Sequence, residues 1–275
     1  MKSKPDTSFW DQRRGKIFSS KGGWKVGEAV YCHGYSMMDD LVGQVTYMQL
    51  YMLNATGTLP AKSLADWVEA AYICMSYPDS RIWCNQIGAL SGSCGTTTVA
   101  ATCAGTLAMD SYVYGAKTLV DGVGFIQRTL KEYEAGKAVV DIVNSSGRFR
   151  QGKPQIIGYS RPIANGDERI EALERTRTQL GFNIGKHLEL AFQIEKHLLE
   201  NFNERINLNG YISAFLSDQD LEAENIYRIF STFVASGVTA CFVDTKDKVP
   251  GSFLPQRCDD IEYQGTAPRE VPDKS

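Results

Sequence analysis

The length, composition and charge of the chain exclude several classes of protein. With 275 residues, of which 43% are hydrophobic and 22% charged, it can bury a sizeable core and is too ordinary in composition for a disordered or fibrous protein. A formal net charge of −3 argues against a nucleic-acid partner, which requires a concentrated excess of Lys and Arg. The sequence has neither the roughly 20 consecutive apolar residues of a membrane span nor the apolar segment of a signal peptide, so we expect a cytoplasmic protein.

The first third of the chain predicts an arm followed by two helices. Residues 1–25 are polar and mixed in character, and Gly22-Gly23 should break any regular element there. Apolar residues at helical spacing predict helices over 47–53 and 64–75. The breaker sequence Gly57-Thr58-Leu59-Pro60 separates them, so we expect a helix-loop-helix.

The next segment predicts a buried, closely packed helical centre. Residues 80–89 and 99–107 contain small side chains at close intervals, which let helices approach one another tightly. An amphipathic pattern predicts another helix over 125–134, and Gly136 fits its end.

The remainder of the chain also favours helices. Residues 144–154 are polar and predict an exposed loop, after which strong helix formers predict helices over 167–180 and 186–202. Residues 205–243 predict a further pair of helices, broken near Asp218-Gln219-Asp220. Because strand patterns are scarce, we expect an all-α protein of about ten helices, with a tail rich in Pro, Asp and Gly beyond residue 246.

The cysteines indicate neither disulfides nor a metal site. The chain has seven Cys, an odd number, and their apolar surroundings are typical of small core residues. Cys84, Cys94 and Cys103 lack zinc-ligand spacing and have no His among them. We therefore expect no metal.

Five local patterns resemble the citrate synthase superfamily, in the same order along the chain. The first two are 33–60, with its Gly-x-Leu-Pro turn, and 79–90, which is similar to a segment of short members of the superfamily. The others are Ile156-Ile157-Gly158-Tyr159-Ser160-Arg161-Pro162 with Gly166-Asp167-Glu168-Arg169, then Asn207-Leu208-Asn209-Gly210-Tyr211, and Arg257 with Ile261-x-Tyr263-x-Gly265. The length is that of the short citryl-CoA lyase-like members.

The resemblance implies an all-α, citrate synthase-like helical fold with a large and a small domain. After the N-terminal arm (1–25), residues 26–149 and 236–275 would form the large helical domain and 150–235 the small one, with the site between them. Family members are dimers whose sites borrow residues across the interface, so the resemblance implies a homodimer. The small-residue helices near 88–108 would suit that interface.

The catalytic positions of the family carry other residues in this chain. Citrate synthases use a carboxylate to remove a proton and two histidines to polarise carbonyl groups. The positions that match these three groups hold Tyr114, Arg161 and Asn209. An amide is not a general base and an arginine stays protonated, so the resemblance implies a mechanism different from that of citrate synthase.

Other matched positions imply substrate and cofactor binding. Arg169 and Arg257 match arginines that grip the carboxylates of the acid substrate, a task suited to the planar guanidinium group. Together with Arg161 they would line one pocket and favour a substrate with at least two negative groups, and Ser160 is assigned to substrate binding. The loop whose backbone cradles the adenine of coenzyme A is matched by Ile156, Ile157, Gly158 and Tyr159.

The function implied is that of an acyl-CoA-dependent acyltransferase or lyase. It would make or break a carbon–carbon or thioester bond on an acyl-CoA or a related carboxylate, with a coenzyme A thioester as the candidate substrate. Tyr114 would donate a hydrogen bond or a proton, Arg161 would hold a carboxylate, and Asn209 would orient the substrate. Two alternatives stay open: a non-catalytic homologue that binds coenzyme A or a polycarboxylate, and a structural subunit that pairs with an active homologue.

Overall fold

Helices make up most of the architecture, as the sequence predicts. The computed structural model describes residues 6–150, 152–161 and 164–271, and it is 54% helical. The α-helices are α1 (Ser8–Asp11), α2 (Tyr47–Thr56), α3 (Lys62–Met75), α4 (Trp83–Ser93), α5 (Thr98–Met109), α6 (Ala116–Glu134), α7 (Val139–Ser146), α8 (Glu168–Gln179), α9 (Lys186–Phe202), α10 (Leu208–Ser217), α11 (Ala223–Ile229) and α12 (Ala235–Lys246). The strands are β1 (Gly22–Lys25), β2 (Ala29–Cys32), β3 (Tyr35–Ser36), β4 (Arg148–Arg150) and β5 (Lys153–Gln155).

The N-terminal arm contains more regular structure than its composition predicts. Gly22-Gly23 was expected to break any element, but strand β1 begins there and pairs with β2 in an antiparallel hairpin. A side chain at Gly22 would collide with the carbonyl oxygen of Tyr31 on β2. Glycine is therefore compatible with this strand because the backbones approach closely, which the sequence alone does not reveal.

The predicted helix-loop-helix over α2 and α3 is confirmed. Thr46 caps α2 by accepting a hydrogen bond from the backbone of Gln49, whose side chain accepts from Thr46 N at 3.0 Å in return. Gly57 ends the helix in the left-handed conformation with φ 87°, which glycine adopts without strain. A linker follows, and α3 then begins at Lys62.

Small residues bring α4 and α5 against α12, as expected. A side chain at Gly88 or Gly105 would collide with Val238 of α12, and one at Gly92 would collide with Thr245. The expectation that α5 belongs to a buried centre is wrong for the single chain, because its outer residues are exposed: Val99 by 73% and Leu107 by 78%.

Helix α6 forms the middle of the hydrophobic core. It begins at Ala116, nine residues before the predicted start at 125, and includes Gly122, which lies directly against α10. One continuous cluster of buried side chains joins α6 to α3 and to α9–α11. This core therefore spans both segments that the sequence assigns to separate domains, and the domain boundaries stay a prediction.

The segment 144–154 is not simply an exposed loop. Helix α7 extends to Ser146, and β4 then pairs with β5 in a two-stranded antiparallel sheet, with Phe149 opposite Pro154. Backbone pairing stabilises this hairpin. The polar sequence of residues 144–154 has no alternating apolar pattern that would have predicted strands.

The helices predicted over 167–180 and 186–202 are confirmed as α8 and α9. Residues 205–243 form three helices instead of the predicted pair, because a turn separates α11 from α12. The side chains of Phe230, Phe233 and Val234 in that turn are buried. The apolar spacing therefore continues across the turn between α11 and α12, and the sequence pattern does not indicate that the helix ends there.

Past α12 the described chain up to residue 271 is exposed at almost every position. Two hydrogen bonds tie its beginning to Ser93 at the end of α4: Gly251 N donates to the Ser93 carbonyl at 2.9 Å and Phe253 N to its hydroxyl at 3.1 Å. Among the described residues no helix combines the length and apolar character needed to cross a membrane.

Candidate active-site cleft

A cleft of about 590 Å³ opens where the ends of several helices meet. Its wall is formed by the linker between α3 and α4, the start of α6, the residues before α8, the start of α10 and the turn after α11. This volume is typical of small-molecule sites. The lining residues are Met75, Tyr77, Asp79, Arg81, Ile82, Trp83, Val113, Tyr114, Gly115, Thr118, Leu119, Ser160, Arg161, Asp167, Arg169, Asn207, Leu208, Asn209, Ile212 and Phe233.

Five of the residues singled out in the sequence lie together in this cleft. Tyr114, Arg161 and Asn209, which the sequence comparison matched to the catalytic positions of the family, line it with the substrate-binding candidates Ser160 and Arg169. They come from positions up to 95 residues apart in the chain. Their catalytic or binding roles stay predictions, but the fold brings all five to one place.

Arg257 does not lie with them in the single chain. It belongs to the exposed C-terminal segment, where its backbone N–H donates to the carboxylate of Asp260 at 2.7 Å. Of the three arginines expected in one pocket, Arg161 and Arg169 are therefore the two that the fold of one chain brings together.

The turn assigned to coenzyme A is used in packing. Ile156 and Tyr159 are buried in the core, and the Tyr159 hydroxyl donates to the carbonyl of Ala191 at 3.0 Å. Gly158 has φ 86° and lies against Gly210 of α10, too close for a side chain at either position. These residues are not part of the cleft wall, as is also true of Ile157, and their contact with adenine stays a prediction.

Tyr114 reaches the cleft because the chain turns sharply before α6. The turn is closed by Ser111, whose hydroxyl donates to the Tyr114 carbonyl at 3.2 Å. Gly115 then adopts φ 98°, and a side chain there would collide with Met109. Burial raises the pKa of Tyr114, so its phenol stays protonated at neutral pH. With no hydrogen-bond partner among the described residues, this hydroxyl is available to donate to a ligand.

Asn209 is held in the first turn of α10. Its amide nitrogen donates to the hydroxyl of Thr118 at 2.9 Å, and that hydroxyl donates to the Gly115 carbonyl at 2.8 Å. The hydroxyl of Ser213 donates to the other end of the amide at 3.4 Å. This chain of hydrogen bonds fixes the orientation of Asn209 beside the start of α6.

Ser160 lies at the cleft in a backbone conformation unusual for a residue with a side chain, φ 70°. Its N–H donates to the Arg205 carbonyl at 2.8 Å, and its own carbonyl accepts from the side-chain nitrogen of Asn207 at 2.7 Å. Asn207 also caps α10. Strained residues of this kind persist where surrounding contacts fix them, and they are concentrated at functional sites.

Asp167 is the centre of the polar network and was not assigned a role from the sequence. Its buried carboxylate accepts two hydrogen bonds from the guanidinium of Arg169, both at 2.7 Å, and one from the backbone of Leu208 at 3.0 Å. Arg161 lies 3.8 Å away and donates to Glu168 at 2.7 Å. Burial opposes ionisation of Asp167, but the hydrogen bonds and charge of Arg169 outweigh it and lower its pKa.

A second ion pair lies at the mouth of the cleft. The guanidinium of Arg81 donates to both carboxylate oxygens of Asp79, at distances of 2.7–3.2 Å. These hydrogen bonds lower the pKa of Asp79 to about 2. The described wall therefore pairs its three guanidinium groups with two carboxylates, and the gain in positive charge expected from the sequence is largely offset.

Aromatic rings also line the cleft. The ring of Tyr114 lies between Trp83 and Phe233, with centroid distances of 6.0 and 6.2 Å. These are distances at which aromatic pairs interact favourably. Trp83 is 50% exposed, whereas Phe233 is almost completely buried.

The described wall of the cleft offers hydrogen-bond donors and cations, but its carboxylates are poor general bases. Its described wall includes no histidine, and both of its carboxylates are ion-paired with lowered pKa values. The described residues contain no group of three His, Cys, Asp or Glu placed to hold a metal ion. The arrangement is suited to binding an anion and polarising a carbonyl, and less suited to removing a proton.

Comparison with known proteins yields structures and no sequence matches: no protein-family model and no curated protein matches the chain. It is similar to citryl-CoA lyase from Hydrogenobacter thermophilus, with a TM-score of 0.76 and 23% identity over 93% of this chain and 97% of that one. It is also similar to ATP citrate lyase from Methanothrix soehngenii in complex with citrate and coenzyme A, with a TM-score of 0.75 and 18% identity over 97% of this chain and 45% of that one. A third similar structure is the ternary complex of Thermoplasma acidophilum citrate synthase with carboxymethyl coenzyme A and oxaloacetate, with a TM-score of 0.59 and 15% identity over 82% of this chain and 59% of that one.

Proposed function

The chain has the helical fold of the citrate synthase superfamily, and we propose that it acts on an acyl-CoA or a related carboxylate in the cleft between its helix ends. The reaction would form or break a carbon–carbon or thioester bond. The observation that supports this best is that Tyr114, Arg161 and Asn209, which the sequence comparison matched to the family's catalytic positions, line one cleft with Arg169. A coenzyme A thioester is the proposed substrate, in keeping with the coenzyme A bound to the similar ATP citrate lyase.

The proposed roles follow from the chemistry of each group. Arg169 binds a carboxylate of the substrate, because its guanidinium is rigidly oriented by Asp167. The protonated phenol of Tyr114 and the charge of Arg161 polarise a carbonyl oxygen. Asn209, held by Thr118, orients the substrate. The proposed mechanism differs from that of citrate synthase because the position matched to the general base in the sequence holds Asn209 and not a carboxylate.

A second candidate function is binding without turnover. It is favoured by the ion pairs of Asp79 and Asp167, which lower the pKa of both groups, since an ion-paired carboxylate with a lowered pKa is a weaker base. In this case the chain is a non-catalytic homologue or the partner subunit of an active one.

Binding and turnover measurements on the same preparation separate the two candidates. Calorimetry with acetyl-CoA, citrate and oxaloacetate tests binding, while mass spectrometry of mixtures of several acyl-CoA thioesters with several 2-oxo acids tests product formation. Arg169→Ala should weaken binding of the carboxylate about 10- to 100-fold, because a charge-assisted hydrogen bond contributes roughly 1.5–3 kcal/mol. Arg175→Ala is the matched control, since Arg175 is an exposed arginine of the same helix.

Product formation that is lost in Arg169→Ala supports the enzyme. Binding without product supports the second candidate. If none of these compounds binds the wild-type protein, or if Arg169→Ala and Arg175→Ala bind equally well, the cleft is not the site and the proposal fails.

We further propose that the protein is a homodimer and that the C-terminal segment of a partner copy supplies Arg257 to the cleft. Support comes from the exposed apolar side chains of α5 and of the C-terminal segment, which include Leu107, Ile261 and Tyr263. Large exposed apolar surfaces are typical of protein interfaces. Sedimentation should give the mass of two chains. Arg257→Ala should weaken ligand binding without changing the sedimenting mass of the dimer. A wild-type protein that sediments as a monomer at micromolar concentration would contradict this assignment.

A further inference from the structure

Two sets of side chains line the cleft. The charged side consists of Arg161, which precedes α8, and Arg169 in the first turn of that helix, and the aromatic side consists of Trp83, Tyr114 and Phe233. Tyr114 is the middle ring of the three. Such a combination is typical of sites that fix one polar group of a ligand and cover the rest of it with hydrophobic surface.

The charged side can bind few negatively charged groups of a ligand, because carboxylates of the protein already pair with its arginines. Arg169 directs two of its N–H groups at Asp167, and Arg161 directs one at Glu168. Both arginines therefore enter the site already partly neutralised by carboxylates of the protein. A ligand with two or three carboxylates would meet the negative charge of Asp167 as well as the two guanidinium groups.

The aromatic side exposes surface that a ligand can cover. Trp83 is 50% exposed although it lines a cleft, and its ring lies beside that of Tyr114. Removing apolar surface of this kind from water is favourable. Planar aromatic groups add a specific ring–ring attraction.

We propose that the acid bound in this cleft is an amphipathic monocarboxylate, with its carboxylate on Arg169 and an aromatic or branched aliphatic side chain against Trp83 and Tyr114. The inference rests on the proposed function, which it makes more specific by naming the substrate class. It differs from the expectation of a dianionic substrate because Asp167 and Glu168 offset the charges of Arg161 and Arg169, which leaves one positive charge for the ligand even when a partner copy supplies Arg257.

The test compares two 2-oxo acids that differ in the relevant group. Calorimetry at pH 7 on the full-length protein measures the affinity for phenylpyruvate and for oxaloacetate. We expect phenylpyruvate to bind at least about ten-fold more tightly than oxaloacetate. Trp83→Ala should lower the affinity for phenylpyruvate about ten-fold and leave the affinity for oxaloacetate unchanged. Trp24→Ala is the matched control, since Trp24 is an exposed tryptophan in strand β1.

A second variant keeps the test decisive if Trp83→Ala folds poorly by circular dichroism. Trp83→Leu preserves an apolar side chain but removes the ring system, and it should also weaken phenylpyruvate selectively. Tighter binding of oxaloacetate than of phenylpyruvate overturns the inference and leaves the proposed function intact. Equal losses for both acids in Trp83→Ala, or no loss for either, also overturn it. If neither acid binds and coenzyme A compounds do not bind, the proposed function fails as well.

Discussion

Replacing Asp167 with asparagine removes the negative charge at the centre of the cleft while keeping the shape of the side chain. The carboxylate accepts two hydrogen bonds from Arg169 and one from the backbone of Leu208. An asparagine has one acceptor oxygen in this plane, and its NH₂ group would face a donor of the protein. The variant therefore leaves at least one buried donor without a partner and Arg169 without its counter-charge.

The structure gives the expected size of the effect. Breaking a buried ion pair by removing one partner costs about 3–5 kcal/mol. Asp167 is completely buried, but the side chain of Arg169 is 21% exposed and keeps part of its hydration, so we expect the low end, about 3 kcal/mol. For a chain of this length about 1 kcal/mol corresponds to roughly 2 °C, and the Tm should fall by about 6 °C.

The measurement is thermal unfolding followed by circular dichroism as a function of pH. The pKa of Asp167 is lower in the folded protein than its ordinary value of 3.8. Its charge therefore contributes to the free energy of unfolding above pH 3.8, and this contribution is lost as the pH falls through the folded-state pKa. The difference in Tm between wild type and Asp167→Asn should be full at neutral pH and should shrink below about pH 4.

Asp244→Asn serves as the control, because Asp244 of α12 forms an exposed ion pair with Lys248, which lies just beyond that helix. Such surface pairs contribute about 0–1 kcal/mol, so its Tm should hardly change. If Asp167→Asn lowers the Tm no more than this control, or by an amount that is the same at pH 3 and pH 7, the ion pair with Arg169 does not stabilise the site as argued.

Three further predictions concern the same region. Purified protein given acetyl-CoA and oxaloacetate should form negligible citrate, measured by mass spectrometry, since loss of a general base alone typically lowers the reaction rate by about 10²- to 10⁴-fold. Robust citrate formation would show that Asn209 does not occupy the position of the base. Gly122→Ala should lower the free energy of unfolding in urea by about 1–3 kcal/mol, because the added methyl group collides with Asn209 and Ser213, whereas Gly124→Ala, with open space around it, should be neutral or stabilising. Tyr114→Phe should leave the urea midpoint unchanged, because the hydroxyl has no partner within the described ranges, yet should weaken ligand binding in calorimetry; a large loss of stability would assign that hydroxyl to the fold.

The sequence predicted helices best where the local signals were strong. Helix α9 begins and ends at the predicted residues, Lys186 and Phe202, because charged and apolar positions alternate with the helical period over its whole length. The start of α6 was placed too late. Its first turns contain Gly122, which is unfavourable for an isolated helix but allows α10 to pack closely.

The candidate site was predictable to the extent that it depends on matching residues to a family pattern. That comparison selected Tyr114, Arg161, Asn209, Ser160 and Arg169, and the fold places all five in one cleft. It did not select Trp83 or Asp167, although both lie within the segments that carried the resemblance. A tryptophan or an aspartate has no recognisable role in a sequence until its neighbours in space are known.

Local patterns in the sequence predicted the helical class and the likeness to the citrate synthase superfamily, and they matched Tyr114, Arg161 and Asn209 to its catalytic positions. These depend on periodicity and on the order of short motifs, both of which are local. Tertiary contacts set the electrostatic balance of the cleft, where Asp167 lies between Arg161 and Arg169. They also form the aromatic side, where Trp83 and Phe233 flank Tyr114, although Phe233 is 119 residues further along the chain than Tyr114. Charge compensation and ring packing act through space over a few ångströms, so they depend on which residues the fold brings together and not on their separation in sequence.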